Sequence, residues 1–223
     1  MSHPEISFLL VLFATMALAV LCSHIGKGAL FALLYAVLVG VNIASTKTSH
    51  VLGFEITVGT PLYAVTFLIS NMVSELYGKE EAQRAIKMGF VVLGGFVIIG
   101  MLSKFVPSNR DSDSIAVDTV FSRSTRILTA SFLTYLVAQL TNVWLFWLVR
   151  KVTAEKYLWL RNGVSTVAAE FVDSIIFFFL AFSFTEKHWV TLAITGFLTK
   201  SIIALLDTPF IYICKRIGSR NLL

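Results

Sequence analysis

Charge is scarce in this sequence. Charged residues make up 14% of its 223 residues, 57% are hydrophobic, and mean hydropathy is +0.81. Soluble domains carry about 25% charged and about 45–50% apolar residues, so the shortage excludes an ordinary soluble domain. Cysteine is nearly missing. Cys22 and Cys214 fall at helix ends that the topology below turns toward the cytoplasm, where a disulfide is not expected. The four histidines, His3, His24, His50 and His188, sit near the ends of apolar segments, and no Cys/His cluster has metal-ligand spacing. Neither a metal nor any other cofactor is expected. There is no P-loop, no G-x-S-x-G, no H-E-x-x-H and no glycine-flanked aspartate pair. These gaps exclude ATP hydrolysis by the P-loop route and leave an intramembrane enzyme without a catalytic constellation. The first apolar run, "MSHPEISFLLVLFATMALAV", lacks the basic start of a signal peptide and reads as a retained helix at the bundle's periphery.

What is there is apolar length. A spanning helix needs roughly 20 mostly apolar residues. The sequence offers seven candidates, near 6–22, 29–46, 57–77, 87–105, 126–149, 164–185 and 189–213. Between them lie polar breaks: "SHIGKG", "KTSHVLGFE", the charged turn "GKEEAQRAIK", the long loop "PSNRDSDSIAVDTVFSRSTR" and the loop "RKVTAEKYLWLRNG". The third candidate starts with Gly59 and Pro61 and reads either as continuous or as a broken, re-entrant segment that protein must cover. The fold class is therefore an all-α polytopic integral membrane protein. Residues 1–27 form an extra N-terminal transmembrane helix, 28–216 a six-helix core bundle and 217–223 a short cytoplasmic tail.

The net charge of +5 marks loop orientation rather than a nucleic-acid partner. With seven crossings, eleven Lys and Arg fall on one side: Lys27, Lys79, Arg84, Lys87, Arg150, Lys151, Lys156, Arg161, Lys215, Arg216 and Arg220. Six fall on the other, and Lys200 lies inside a span. The positive-inside rule then puts the N-terminus outside and the C-terminus in the cytoplasm.

Polar residues inside the spans are costly and face the bundle interior or a wet cavity. In the sixth span Thr166, Ala169, Glu170, Asp173 and Ser174 share one helical face. In the fifth, Ser131, Tyr135, Ala138, Gln139 and Asn142 do the same, and Gln139-x-x-Asn142 repeats the spacing of Glu170-x-x-Asp173. The third span contributes Ser70, Asn71, Ser74 and Glu75; the second Asn42 and, at its end, Lys47; the seventh Lys200 and Asp207. Pro209 lacks an N–H and is expected to loosen the seventh helix near Leu205. The candidate substrate-binding set is Asn42, Asn71, Glu75, Gln139, Asn142, Glu170, Asp173 and Lys200, with Lys47, Ser131, Tyr135 and Asp207 in gating or supporting positions. The plainer readings stay open. Small and hydroxyl residues also serve helix contacts, Glu75 and Lys47 can reach the interface, and Lys200 can form a structural ion pair with one acid. Two acids, two amides and a lysine suit a small planar solute.

Five segments in order carry a family likeness: "VNIASTK", "VTFLISNMVSELYG", "RILTASFLTYLVAQLTNVWLF", "LRNGVSTVAAEFVDSIIFF" and "TGFLTKSIIALLDTPFIY". From about Leu38 to Tyr212 the chain resembles the queuosine precursor transporter, or vitamin uptake transporter, family. The resemblance implies an importer in the bacterial inner (plasma) membrane for a 7-deazaguanine base: the cyano or aminomethyl precursor, or queuine. It implies six core spans, a nucleobase and the lipid bilayer as partners, no nucleic acid and no catalysis; a homo-oligomer is compatible with it. Family members often carry aspartate where this chain has Asn71 and Asn142, and an amide where it has Glu170. The rival readings are a substrate-capture subunit of an energy-coupling-factor vitamin transporter and, further off, an intramembrane enzyme. Facilitated import and proton-coupled import both remain open.

Overall fold

The computed structural model describes residues 4–51, 54–121, 125–184 and 187–221. The first two helices, α1 (Pro4–Ile25) and α2 (Lys27–Ala44), meet at Gly26, whose φ of 133° makes the reversal. An antiparallel hairpin follows, β1 (Thr48–Val51) on β2 (Phe54–Thr57), with Thr48 opposite Thr57. Then come α3 (Gly59–Tyr77), α4 (Lys79–Ser103), α5 (Asp111–Phe121), α6 (Thr125–Val152), α7 (Leu158–Phe182), α8 (Trp189–Leu205) and α9 (Thr208–Asn221). Among the described residues, six segments are long and apolar enough to cross a membrane: α1, α2, α4, α6, α7, and α8 taken with α9 as Trp189–Arg216. The protein is thus an all-α polytopic membrane protein with one small hairpin.

The hub is α3. It packs against α1, α2, α4, α6, α7, α8 and α9, and every residue from Ala64 to Ser74 is buried. It is not among the six apolar segments. A helix ringed by other helices meets protein groups instead of lipid tails, so its polar residues can be satisfied. Its 19 residues make one continuous helix, which is the continuous reading and not the re-entrant one. Pro61 causes no break because it sits in the first turn, where its missing N–H has no intrahelical partner to lose. Entry is tight: a Cβ on Gly59 would lie 2.8 Å from the Val41 carbonyl oxygen and run into the Ser45 side chain.

Several breaks expected from polarity are helix instead. The "GKEEAQRAIK" turn reduces to Gly78, with φ 96°, and the rest opens α4, where Glu80 and Glu81 occupy the first turn. Acids there complement the helix dipole, which explains why charge did not end the helix. The loop after the fifth span shrinks to residues 153–157, with Ala154 and Glu155 in left-handed backbone. Arg150 hydrogen-bonds Glu155 and holds its carboxyl below the usual range. The long loop holds a helix, α5, with no buried residue. It is anchored by Lys104 to Asp118 at 3.0 Å and by Phe121 against Phe96 at 5.1 Å between ring centroids. Arg123, one of the loop cations, and the last two residues of the 217–223 tail lie outside the described residues. The seventh span divides at Leu206 and Asp207, as Pro209 led one to expect.

The helix α1 is not set apart. Leu12, Met16 and Ala19 are buried, α1 touches α3 and α9, and Phe13 stacks on Phe210 at 6.1 Å. Both cysteines are free.

Ion pairs gather one end of the bundle. Lys27 meets Glu81 at 3.1 Å, joining the α1–α2 turn to the start of α4. Glu75, on the last turn of α3, meets Arg161 of α7 at 2.6 Å, Lys215 of α9 at 2.9 Å and Arg150 of α6 at 4.0 Å. These pairs bring basic residues of the α1–α2 turn, α6, α7 and α9 onto acids at the end of α3 and the start of α4.

Candidate functional site

Two polar groups meet around α3 in the middle of the bundle. The first is a ladder of amides. Gln139 on α6 donates from Nε2 to Thr66 Oγ1 at 2.8 Å. One turn on, Asn142 donates from Nδ2 to Ser70 Oγ at 3.1 Å and to Asn71 Oδ1 at 2.8 Å. Asn71 passes the chain to α7, donating to Asn162 Oδ1 at 2.9 Å and Thr166 Oγ1 at 3.0 Å. Asn162 donates to Asp207 Oδ1 at 2.6 Å, at the α8–α9 break. Each member is buried. The ladder thus links α6, α3, α7 and the break between α8 and α9.

The second group is charged. Lys200 on α8 donates to Asp173 Oδ2 at 2.5 Å, and the Tyr63 hydroxyl donates to Asp173 Oδ1 at the same distance. The ammonium also lies 5.2 Å from the Tyr63 ring centroid. Each Asp173 oxygen thus has a donor.

Between the groups Phe67 packs on Ala138 and Ala169. These small residues let α6 and α7 close onto α3, and Gln139 and Glu170 follow them directly in sequence. Glu170 is fully buried, and neither of its oxygens has a hydrogen-bond partner. Gln139 Oε1 and Asn142 Oδ1 are listless in the same sense: buried, with no donor facing them. Buried polar atoms nearly always find partners. Here five unmatched atoms can only accept while unprotonated, the two Glu170 oxygens, Gln139 Oε1, Asn142 Oδ1 and Asp207 Oδ2, beside the Ser74 and Ser174 hydroxyls, which can do either, so the centre is short of N–H donors. Among the described residues no three His, Cys, Asp or Glu side chains group as a metal site.

The structure brings Asn71, Gln139, Asn142, Glu170, Asp173, Lys200 and Asp207 into this centre. It places five others elsewhere. Glu75 lies in the ion cluster at the basic end, 5% exposed, and does not reach out to the interface. Asn42 is half-buried on α2 and donates to the Leu38 carbonyl at 2.9 Å. Lys47 is exposed before β1. Tyr135 turns to α4, its hydroxyl 3.4 Å from the Ile86 carbonyl, and Ser131 is half-buried on α6. Sequence reasoning overlooked Arg161 and Asn162 by assigning them to a loop. The signal was present: Asn162, Thr166 and Glu170 are four residues apart on one face. Tyr63 was visible only as an aromatic, because nothing local tells that its hydroxyl meets Asp173.

The family model described as "Putative vitamin uptake transporter" matches residues 57–214. Among curated proteins, the chain is similar to the "Probable queuosine precursor transporter" of Bacillus subtilis (strain 168), at 30% identity over 86% of this chain and 85% of the relative. It is similar to the "Queuosine precursor transporter" of Escherichia coli (strain K12), at 27% identity over 70% of each chain. A third relative, the "Probable queuosine precursor transporter" of Haemophilus influenzae, is 26% identical over 74% of this chain and 71% of its own. No solved structure matches.

Proposed function

The chain belongs to the vitamin uptake transporter family and is a multi-pass membrane transporter, not an enzyme; from that premise we propose that its cargo is a queuosine precursor, a 7-deazaguanine base in the cyano or aminomethyl form or as queuine. The names of its relatives support the class of cargo. The observation that carries the reading to this chain is the donor-poor centre. A guanine-like edge presents a ring N–H and an exocyclic amine, which are the groups that Glu170, Gln139 Oε1 and Asn142 Oδ1 lack. Lys200 and the amide N–H groups of the ladder are the donors for the base carbonyl. Supplied to a queuosine-auxotrophic bacterium whose own importer is deleted, the chain is expected to restore queuosine in tRNA from low external base. Membrane expression with no restoration by any of the three bases would refute the cargo. The energy-coupling-factor reading has no observation in its favour, and uptake by the chain alone in proteoliposomes separates the two.

The same proposal sets the chain in the bacterial plasma membrane with its N-terminus outside and its C-terminus in the cytoplasm. Support comes from the ion-paired end, which gathers basic residues of the α1–α2 turn, α6, α7 and α9. A reporter active only in the cytoplasm is expected to work after residue 221 and within 153–157, and to stay silent in the segment around α5. The reverse pattern would invert the topology.

A further inference from the structure

Glu170 differs from every other acid in the molecule's centre. The charged and titratable groups around it come from four places: Lys200 from α8, Asp173 from its own helix, Asp207 from the α8–α9 break and Tyr63 from α3. Each of these has a partner of its own, although Asp207 Oδ2 is bare. Lys200 and Tyr63 are held by Asp173, and Asp207 accepts from Asn162. Glu170 is left fully buried with both oxygens bare. Removing an ion from water costs several kcal/mol even after relaxation, unless a partner compensates. A neutral carboxyl group avoids most of that cost. A buried centre holding three acids and one lysine is short of positive charge, Glu170 is the acid with both oxygens bare, and the smallest cation it can take is a proton.

We propose that Glu170 is the proton carrier of a base–proton symporter, an inference that rests on the 7-deazaguanine reading above. With the site open to the outside, a proton from the medium bonds to a Glu170 oxygen. The site closes with the carboxyl neutral and the base beside it. When the site opens inward, the O–H bond breaks, the proton leaves to cytoplasmic water and the base departs. On the unloaded return, Lys200 is the cation facing the ionised Glu170. One proton, and one positive charge, enter with each neutral base. The Asp173–Lys200 hydrogen bond persists throughout and leaves the other ammonium N–H groups to the base carbonyl.

The test uses the purified full chain in proteoliposomes and the cyano base, which is neutral and moves no charge of its own. Counterflow of labelled base across equal pH reports transport without a driving force. An inward proton gradient of one pH unit, with the potential clamped to zero, is expected to accumulate the base about tenfold, the equilibrium limit for one proton per base. An inside-negative potential at equal pH is expected to accelerate uptake, and a lumenal pH dye to report acidification that begins on adding base. Counterflow that is intact while uptake ignores both gradients would overturn the coupling and leave the cargo standing. Uptake driven by a sodium gradient at equal pH would overturn it too. Counterflow missing for all three bases would overturn the cargo reading, and the symport with it. Glu170→Gln is expected to erase the pH response of whatever rate remains, and Glu170→Asp, which keeps a titratable oxygen, to preserve it. A pH response kept by Glu170→Gln would assign the proton to another group.

Discussion

Import is expected to fall to background when Asp173 is replaced by asparagine. The carboxylate is the common partner of Lys200 and Tyr63, each at 2.5 Å, and Lys200 has only 14% of its side chain exposed. The variant keeps the shape and removes the charge. It leaves an ammonium among helices with no counter-ion within hydrogen-bonding reach, and it makes one acceptor compete with a new N–H for the tyrosine hydroxyl. Removing one partner of a buried pair costs about 3–5 kcal/mol, whereas removing both is often close to neutral. The double variant Asp173→Asn/Lys200→Met is therefore expected to recover the thermal stability lost by the single one, but not import, because Lys200 also supplies a donor at the centre. Detergent-solubilised melting and uptake by the proposed auxotroph assay, measured on the two single variants and the double, separate these effects. Wild-type uptake by Asp173→Asn at normal expression would make the pair purely structural.

Glu75→Gln is expected to give the largest loss of stability. The carboxylate holds Arg161 Nη2 at 2.6 Å through each of its oxygens, and Lys215 and Arg150 lie at 2.9 and 4.0 Å. Arg161 is fully buried, with Nη1 on the Glu155 carbonyl and its guanidinium 5.5 Å from the Phe146 ring centroid. Without Glu75 three cations from α6, α7 and α9 face one another, and the innermost cannot reach water. The expected cost is about 3–5 kcal/mol, or a fall in melting temperature on the order of 10 °C for a chain of this size. Arg161→Ala is expected to cost less, since Lys215 and Arg150 remain to neutralise Glu75. Size-exclusion profiles and melting curves decide the order; equal stability of Glu75→Gln and wild type would show the cluster to be solvated. The cluster stands next to Asn162 in the ladder, so its strength also bears on how the α8–α9 break can move.

Periodicity made several of these groups legible in advance. Glu170 and Asp173 share a face with Thr166, and Gln139 and Asn142 share another, because a helix repeats every 3.6 residues whatever surrounds it. The structure joins both faces to α3 through Ser70 and Asn71. The same local rule marked Pro209 as a breaking point, since a missing N–H and a crowded carbonyl act within one turn. Polarity misled where it was taken for a loop. Lys79 to Lys87 are charged and helical, because a charged face costs nothing where a helix emerges from lipid. Arg161 and Asn162 are polar and buried, because their partners, Glu75 and Asp207, lie 86 and 45 residues away.

What the sequence by itself determined is the set of apolar lengths and the polar stripes on them: a polytopic helical protein with acids, amides and one lysine that could not face lipid. It determined these because hydrophobic length and helical period are local properties. Only the tertiary structure decided that α3 is the hub, that Glu75 belongs to the basic end and not the centre, and that Lys200 pairs with Asp173 while Glu170 goes without. Those are choices among partners distant in the chain. They depend on which helix faces come within 3 Å of each other, and on a low-dielectric interior in which a charge that finds a partner first leaves its neighbour to take a proton or a ligand instead.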